Sequence, residues 1–302
     1  MNGQIKIFNV YHKVAPIYGA ECLCPIQVGC ANSKFNLNIL RDDTGDNISD
    51  LNGDCCELTA QYWVWKNFLP AHDDVGWVGF CHYRRYLNFW KHSMREPLLP
   101  TFDTISEDEF RTVILQRYTN REIHSSIPDG CGIVLPQSYS VPSGKTMLEW
   151  YMMGMHGYGL EDAIRVIKEQ FPDYLEDFVR AASMHKEYRC LTYLMRRDVF
   201  DRYASWLFPF LESVRKHWRL LPEYRRNGRQ EGLVAEHLFM VWLCHEIRVY
   251  GTKITECEGV LLEKPPAGNR IGPISKVYES LKLKAAWFKA SLNAKRFLKK
   301  CK

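Results

Sequence analysis

Apolar residues fall into short, nearly continuous runs in the first half of this chain and into helical spacing in the second. IKIFNVYH, residues 5 to 12, is rich in β-branched and aromatic residues and reads as a first core strand ending at His12 and Lys13. Trp77, Val78, Gly79, Phe80 and Cys81 form a second run, the pattern of a strand covered on both faces, although a buried helical segment of that length would read alike. GIVLP, residues 132 to 136, is a further short strand stopped by Pro136. RDDTGDNISDLNGD, residues 41 to 54, is dense in Asp, Asn and Gly and reads as a long loop, after which ELTAQYWVWKNF recovers helical spacing. In GLEDAIRVIKEQFPDYLEDFVRAA, Leu160, Ile164, Ile167, Phe171, Tyr174 and Phe178 keep a helical period, with Pro172 as a break or a helix start. Strand and helix signals thus alternate early and helices dominate from 160 to 247, which predicts an α/β sheet with a helical C-terminal part. No internal repeat or low-complexity stretch interrupts this pattern.

Composition narrows the class. The 302 residues are 46% hydrophobic and 25% charged, as in ordinary globular proteins. The longest wholly apolar run is Leu238 to Cys244, far below the roughly 20 residues of a membrane span, and MNGQIKIFN lacks the apolar centre of a signal peptide, so a cytoplasmic location is expected. Eleven cysteines then read as reduced thiols, and Cys22-x-Cys24 and Cys55-Cys56 as packing rather than metal ligation. The net charge of +5 is unevenly placed: residues 271 to 302 hold nine Lys or Arg and one Glu, a net of +8, which leaves −3 on residues 1 to 270. A mildly acidic body argues against nucleic acid as a partner.

Candidate chemistry gathers at two places. The core run at 77 to 81 ends in His82, Tyr83, Arg84, Arg85 and Tyr86. Open α/β sheets place ligands at the carboxyl ends of their strands, and two guanidiniums there suit a phosphate or diphosphate. GLVAEHLFMVWLC, residues 232 to 244, is apolar all round except for Glu236 and His237. A carboxylate held there has its pKa raised toward the range of a general base, while a buried Glu paired structurally with an Arg stands as the other reading.

Two longer motifs carry a resemblance. DDTGDNISDLNGDCCELTAQYWVWKN, followed shortly by VGFCHYRRY, resembles the bacterial glycosyltransferase family of capsule, exopolysaccharide and O-antigen gene clusters that was long catalogued as a domain of unknown function. Agreement continues through IKIFNVYHK, PIQVG, His156, FPDYLEDF, Tyr203 and WLF at 206 to 208, covering about residues 4 to 262. The resemblance implies a GT-A-like fold, a Rossmann-like mixed sheet flanked by helices, over residues 1–265, with a basic tail at 271–302. It implies an enzyme moving a hexose from a nucleotide sugar, expected to be UDP-linked and with galactose or galactofuranose as candidates, to a saccharide acceptor. GT-A enzymes commonly hold the diphosphate through a divalent metal on an Asp-x-Asp motif. Here His82-Tyr83-Arg84-Arg85-Tyr86 takes that place, so no cofactor is expected, with Mn or Mg left as the alternative. The family's Ser-Glu-Arg-Leu reads Ala235-Glu236-His237-Leu238, which keeps the Glu and replaces the Arg.

On this reading Glu236 is the candidate base and Asp46 the next choice. His12, Lys13, Asp43, Asn47, His82, Tyr83, Arg84 and Arg85 are candidate donor contacts, and Glu57, His156 and His237 candidate sugar or acceptor contacts. The Asx-rich residues could equally hydrogen-bond their own loop, and Tyr62, Trp63 and Trp65 could be core or stacking platforms. A phosphate-binding module without catalysis and a metal-dependent phosphoester hydrolase remain alternatives, the second weakened by the lack of His-x-His or Cys-x-x-Cys spacing. In the tail, Tyr278, Leu281, Ala285, Phe288 and Leu292 would share a helical stripe bordered by Lys282, Lys284, Lys289 and Lys295. Such a helix would lie on an anionic membrane, suiting a lipid-linked acceptor at the inner face of the cell membrane; a solvated tail, or one docked on the body, is the alternative.

Overall fold

A computed structural model of the chain describes residues 3–90, 102–155, 159–218, 228–263 and 289–299. Its frame is a mixed sheet of nine strands among the described residues. β1 (Gln4–Tyr11) pairs in parallel with β2 (Leu23–Gln27), and β2 with β3 (Leu40–Arg41). On its other side β1 runs parallel to β4 (Val75–His82), reaching the pair Val10 and His82. β4 turns sharply at Tyr83–Arg84 into β5 (Arg85–Asn88), with His82 opposite Arg85. Beyond them lie β6 (Phe102–Ile105), β7 (Cys131–Pro136), β10 (Tyr193–Arg196) and β11 (Lys253–Leu262); a separate two-stranded ribbon joins β8 (Tyr139–Ser140) to β9 (Lys186–Glu187).

The uninterrupted apolar character of β4 follows from its neighbours. β1 covers one edge and β10 the other, antiparallel from Tyr193 opposite Phe80 to Arg196 opposite Trp77. Gly79 is required there, because a Cβ would stand 2.8 Å from the Tyr193 carbonyl oxygen. Alternate residues point to opposite faces. Phe8, Val10, Val78 and Phe80 join the larger core, with Tyr193, Tyr203, Phe239 and Trp242, beneath the helices Leu58–Trp63, Met147–Met155, Leu160–Gln170, Leu175–Ser183, Arg197–Trp218 and Gln230–Tyr250. Ile5, Ile7, Trp77 and Cys81 face a smaller core with Tyr18, Tyr86, Phe110 and Tyr118.

The C-terminal half is less purely helical than its spacing predicts. β10 enters between helices and pairs with both β4 and β7, and the body ends in β11 rather than in helix. The break at Pro172 is a short 3-10 turn, Pro172–Tyr174, between two helices. Of the expected tail stripe, Leu292 lies among the described residues and Tyr278, Leu281, Ala285 and Phe288 lie outside them, as do Lys282 and Lys284. Residues 289–299 are helical, and the face they bury is Ala290, Ala294 and Phe297, with the Phe297 ring 6.1 Å from Phe178. Lys145 Nζ donates to Ser291 Oγ at 3.0 Å, and Ser291 in turn bonds Glu149. This end of the tail is therefore docked on the body, with Leu292 turned outward at 43% exposure.

Candidate active site

The carboxyl ends of β1 and β4 open into a cleft of about 510 Å³. Its floor is the β4–β5 turn. Tyr83 N–H donates to the Val10 carbonyl at 3.0 Å, the Arg84 carbonyl accepts from Leu262 N–H at 2.9 Å, and the Tyr83 carbonyl accepts from the Tyr86 hydroxyl at 2.9 Å. Three elements thus fix the two arginines before any ligand arrives. Around the turn, His12, Asn52, Cys56, Glu57, Cys190, Arg229 and Glu236 complete the wall.

Charge in the cleft is divided between guanidiniums and carboxyls. Arg84, Arg85 and Arg229 have no carboxylate within ion-pair distance among the described residues, and the buried Arg84 Nε has no hydrogen-bond partner. Both histidines are pushed toward the neutral form. Burial brings His82 down to about 4, with the nearby arginines adding to the effect, and burial followed by Lys13 and His82 lowers His12. His82 Nε2 lies 2.5 Å from the Cys190 carbonyl, which can only accept, so the proton sits on Nε2. The same nitrogen is 3.9 Å from Glu57 Oε1.

Glu57 and Glu236 face this array. Burial raises the carboxyl of Glu57 above its ordinary range, and burial followed by repulsion from Glu57 and Glu187 brings Glu236 to about 7. The structural pairing weighed for Glu236 falls to other members of its helix. Arg215 makes a bidentate bond to Glu231 at 2.7 and 2.6 Å, and Arg202 holds Glu246.

Other predicted residues are placed elsewhere. Lys13 lies beside the cleft with Nζ 5.1 Å over the Tyr83 ring. Asp43 is held by Arg41, Asp46 accepts from the Tyr62 hydroxyl at 2.9 Å, and Asn47 bonds the Gly45 carbonyl, so all three serve the 41–54 loop and none lines the cleft. Asp42 anchors this loop. Buried, it accepts from Gly29 N–H, Cys30 N–H, Ser49 Oγ and Thr59 Oγ1 at 2.9, 3.1, 2.5 and 2.6 Å. Gly29 has φ +66° and a Cβ there would strike Asn52, which explains the end of PIQVG. Tyr62 and Trp65 cluster with Phe208, and Trp63 Nε1 donates to Thr44, so these aromatics are packing groups. His237 points away from the cleft, 4.8 Å from the Tyr151 ring, its pKa lowered to about 4 by burial. His156 lies outside the described residues.

Sequence reasoning missed Asn52, Cys56, Cys190 and Arg229. The last three have backbone φ of +54°, +64° and +62°, and Leu191 beside Cys190 has +41°. Only Asn38 among the other described non-glycine residues shares this region. Left-handed backbone costs ordinary residues on the order of 1–3 kcal/mol and concentrates at functional sites. The polar signal for Arg229 was present in RRNGRQEG, whose last three residues open the helix Gln230–Tyr250.

Fold and cleft together define an α/β protein whose cleft brings three arginines next to two carboxyls. Residues 6–247 match the family described as "Domain of unknown function (DUF4422)", and the chain belongs to that family. Comparison with curated proteins yields no match. Among solved structures it is similar to the apo structure of WbbM, a bifunctional glycosyltransferase, with TM-score 0.76 and 28% identity over 90% of this chain. The chain spans 47% of that protein's length.

Proposed function

We propose that the cleft is the active site of a glycosyltransferase that binds a nucleotide-sugar donor and transfers its hexose to a saccharide acceptor. The observation that carries this reading is the joining of Arg84, Arg85 and Arg229 with Glu57 and Glu236 in one cleft at the carboxyl ends of two parallel strands. The arginines bind the diphosphate and stabilise the nucleoside diphosphate as it leaves, supplying the charge that a divalent metal provides in many GT-A enzymes. His12, Lys13 and Tyr83 lie where the nucleotide enters. Glu236 accepts the proton of the acceptor hydroxyl as that oxygen bonds the anomeric carbon, and Glu57 contacts sugar hydroxyls.

The likeness to a glycosyltransferase structure supports this class, and the GT-A topology is part of the same proposal. A UDP-linked hexose, with galactose in pyranose or furanose form first, is the donor to test. The acceptor is a saccharide of surface-polysaccharide biosynthesis, carried on lipid at the inner face of the membrane. No described helix is long and apolar enough to cross a membrane, so contact with lipid on this reading is peripheral. Glu236→Gln keeps the side-chain volume and removes the base. Donor affinity persists while transfer falls by orders of magnitude; transfer at the normal rate would return Glu236 to a structural role.

A further inference from the structure

We propose that Cys56 is the positioning residue that aims Arg229 into the cleft, its sulfur accepting the guanidinium Nε–H and so leaving the two terminal amino groups for the donor diphosphate. This rests on the donor reading above. The contact is direct: Arg229 Nε donates to Cys56 Sγ at 3.3 Å, and both residues line the cleft. The backbone joins the same two segments, Arg229 N–H donating to the Gly53 carbonyl at 3.0 Å. Gly232, in the first turn of the helix Gln230–Tyr250, leaves the space in which the sulfur sits, since a Cβ there would stand 3.1 Å from Sγ. The two adjacent cysteines divide the work. Buried Cys55 donates to Glu231 Oε2 at 3.1 Å, beside the Arg215 bond to the same oxygen, while partly exposed Cys56 takes Arg229, so the pair clasps the start of one helix from the core and from the cleft.

Cys56 is itself held in place. Its backbone, at φ +54° and ψ −131°, is a conformation that favours glycine, and Asn52 fixes it from both sides. Cys56 N–H donates to the Asn52 carbonyl at 2.9 Å, and Asn52 Nδ2 donates to the Cys56 carbonyl at 2.6 Å and to Thr59 Oγ1 at 3.2 Å. Thr59 in turn bonds Asp42, so the anchor of the 41–54 loop reaches Arg229 through Thr59, Asn52 and Cys56. A side chain kept where the backbone calls for glycine is one whose contact offsets the strain. A thiol suits the task. Burial, then the charge of Glu57, holds it above its ordinary range against the pull of Arg229, so a neutral sulfur orients the cation without neutralising it. A carboxylate in that place would pair with the arginine and compete with the diphosphate.

Equilibrium binding of UDP to the full chain, read beside the melting temperature, separates this role from packing. Cys56→Gly removes the sulfur where the backbone favours glycine, so the variant should melt close to the wild-type temperature while UDP binding weakens about fivefold, the scale of one ordinary hydrogen bond. Cys56→Ser, which keeps a neutral acceptor, should recover part of that loss. In an Arg229→Ala background Cys56→Gly should cost nothing further, because the sulfur acts only through the arginine. Unchanged affinity in Cys56→Gly, an equal loss with and without Arg229, or a Cys56→Gly chain too unstable to assay assigns the sulfur to packing and overturns the inference while leaving the donor site standing. Absence of binding of UDP and of UDP-galactose by the wild type overturns the donor reading and this inference with it.

Discussion

Arg84 and Arg85 sit side by side where the β4–β5 turn meets β11, which bonds the Arg84 carbonyl through Leu262 and pairs Arg85 with Leu261, and the diphosphate assignment makes both necessary. Arg84→Ala and Arg85→Ala should each weaken donor binding or turnover at least tenfold, about 1.4 kcal/mol, as lost charge-assisted contacts do. Wild-type kinetics in both variants would remove the assignment. Glu236 offers a second reading through pH. Its folded pKa of about 7 lies above the ordinary 4.5, so both states are protonated well below 4.5, and the stability present there is lost as pH rises through about 7. Glu236→Gln should therefore raise the melting temperature at about pH 8, by an equivalent of about 1–3 kcal/mol, and leave it nearly unchanged at about pH 4. A variant that stabilises without transferring is the expected signature of a strained functional group. Equal effects at both pH values would mean that the carboxyl is not the source.

At the scale of elements, the 41–54 loop and the β4–β5 turn do different work from what their residue types suggest. The Asp-rich loop supplies no charge to the cleft; it is closed by Asp42 on four donors, and Asp42→Ala, which orphans them, should cost about 2–4 kcal/mol in chemical denaturation. A loss below about 0.5 kcal/mol would deny it that anchoring role. β1, β4, β7 and the main helices were legible because their apolar periods are set by burial on one or both faces. β10 was not, because YLMR is four residues between helical patterns and becomes a strand only through β4 and β7 on either side. The turn at Tyr83–Arg84 announced itself by placing cations behind a core run. Cys190 and Arg229 did not, since their place in the cleft comes from left-handed backbone and from helices that meet only in three dimensions. Asp43, Asp46 and Asn47 show the opposite case, side chains of the kind catalysis uses whose hydrogen bonds close the loop on itself or, for Asp46, tie it to Tyr62 on the next helix.

For the whole molecule, the described end of the tail belongs to the fold. Phe297→Ala should lower stability by about 2–4 kcal/mol, which a solvated tail would not show. Its outer face, with Leu292 exposed beside Lys289, Lys295 and Lys299, is the side free to meet an anionic membrane; the full chain should sediment with anionic liposomes at low salt and be released at high salt. Failure to sediment at low salt would end the membrane proposal without touching the chemistry. The central claim is that three arginines hold the donor diphosphate beside a carboxyl base. Its most direct measurement is turnover of UDP-linked hexoses, with and without chelator, by the wild type and by Arg84→Ala, Arg85→Ala and Arg229→Ala. Donor turnover that survives chelation and falls at least tenfold in each arginine variant is the predicted result. Turnover abolished by chelator, or unchanged when the arginines are removed, would contradict it.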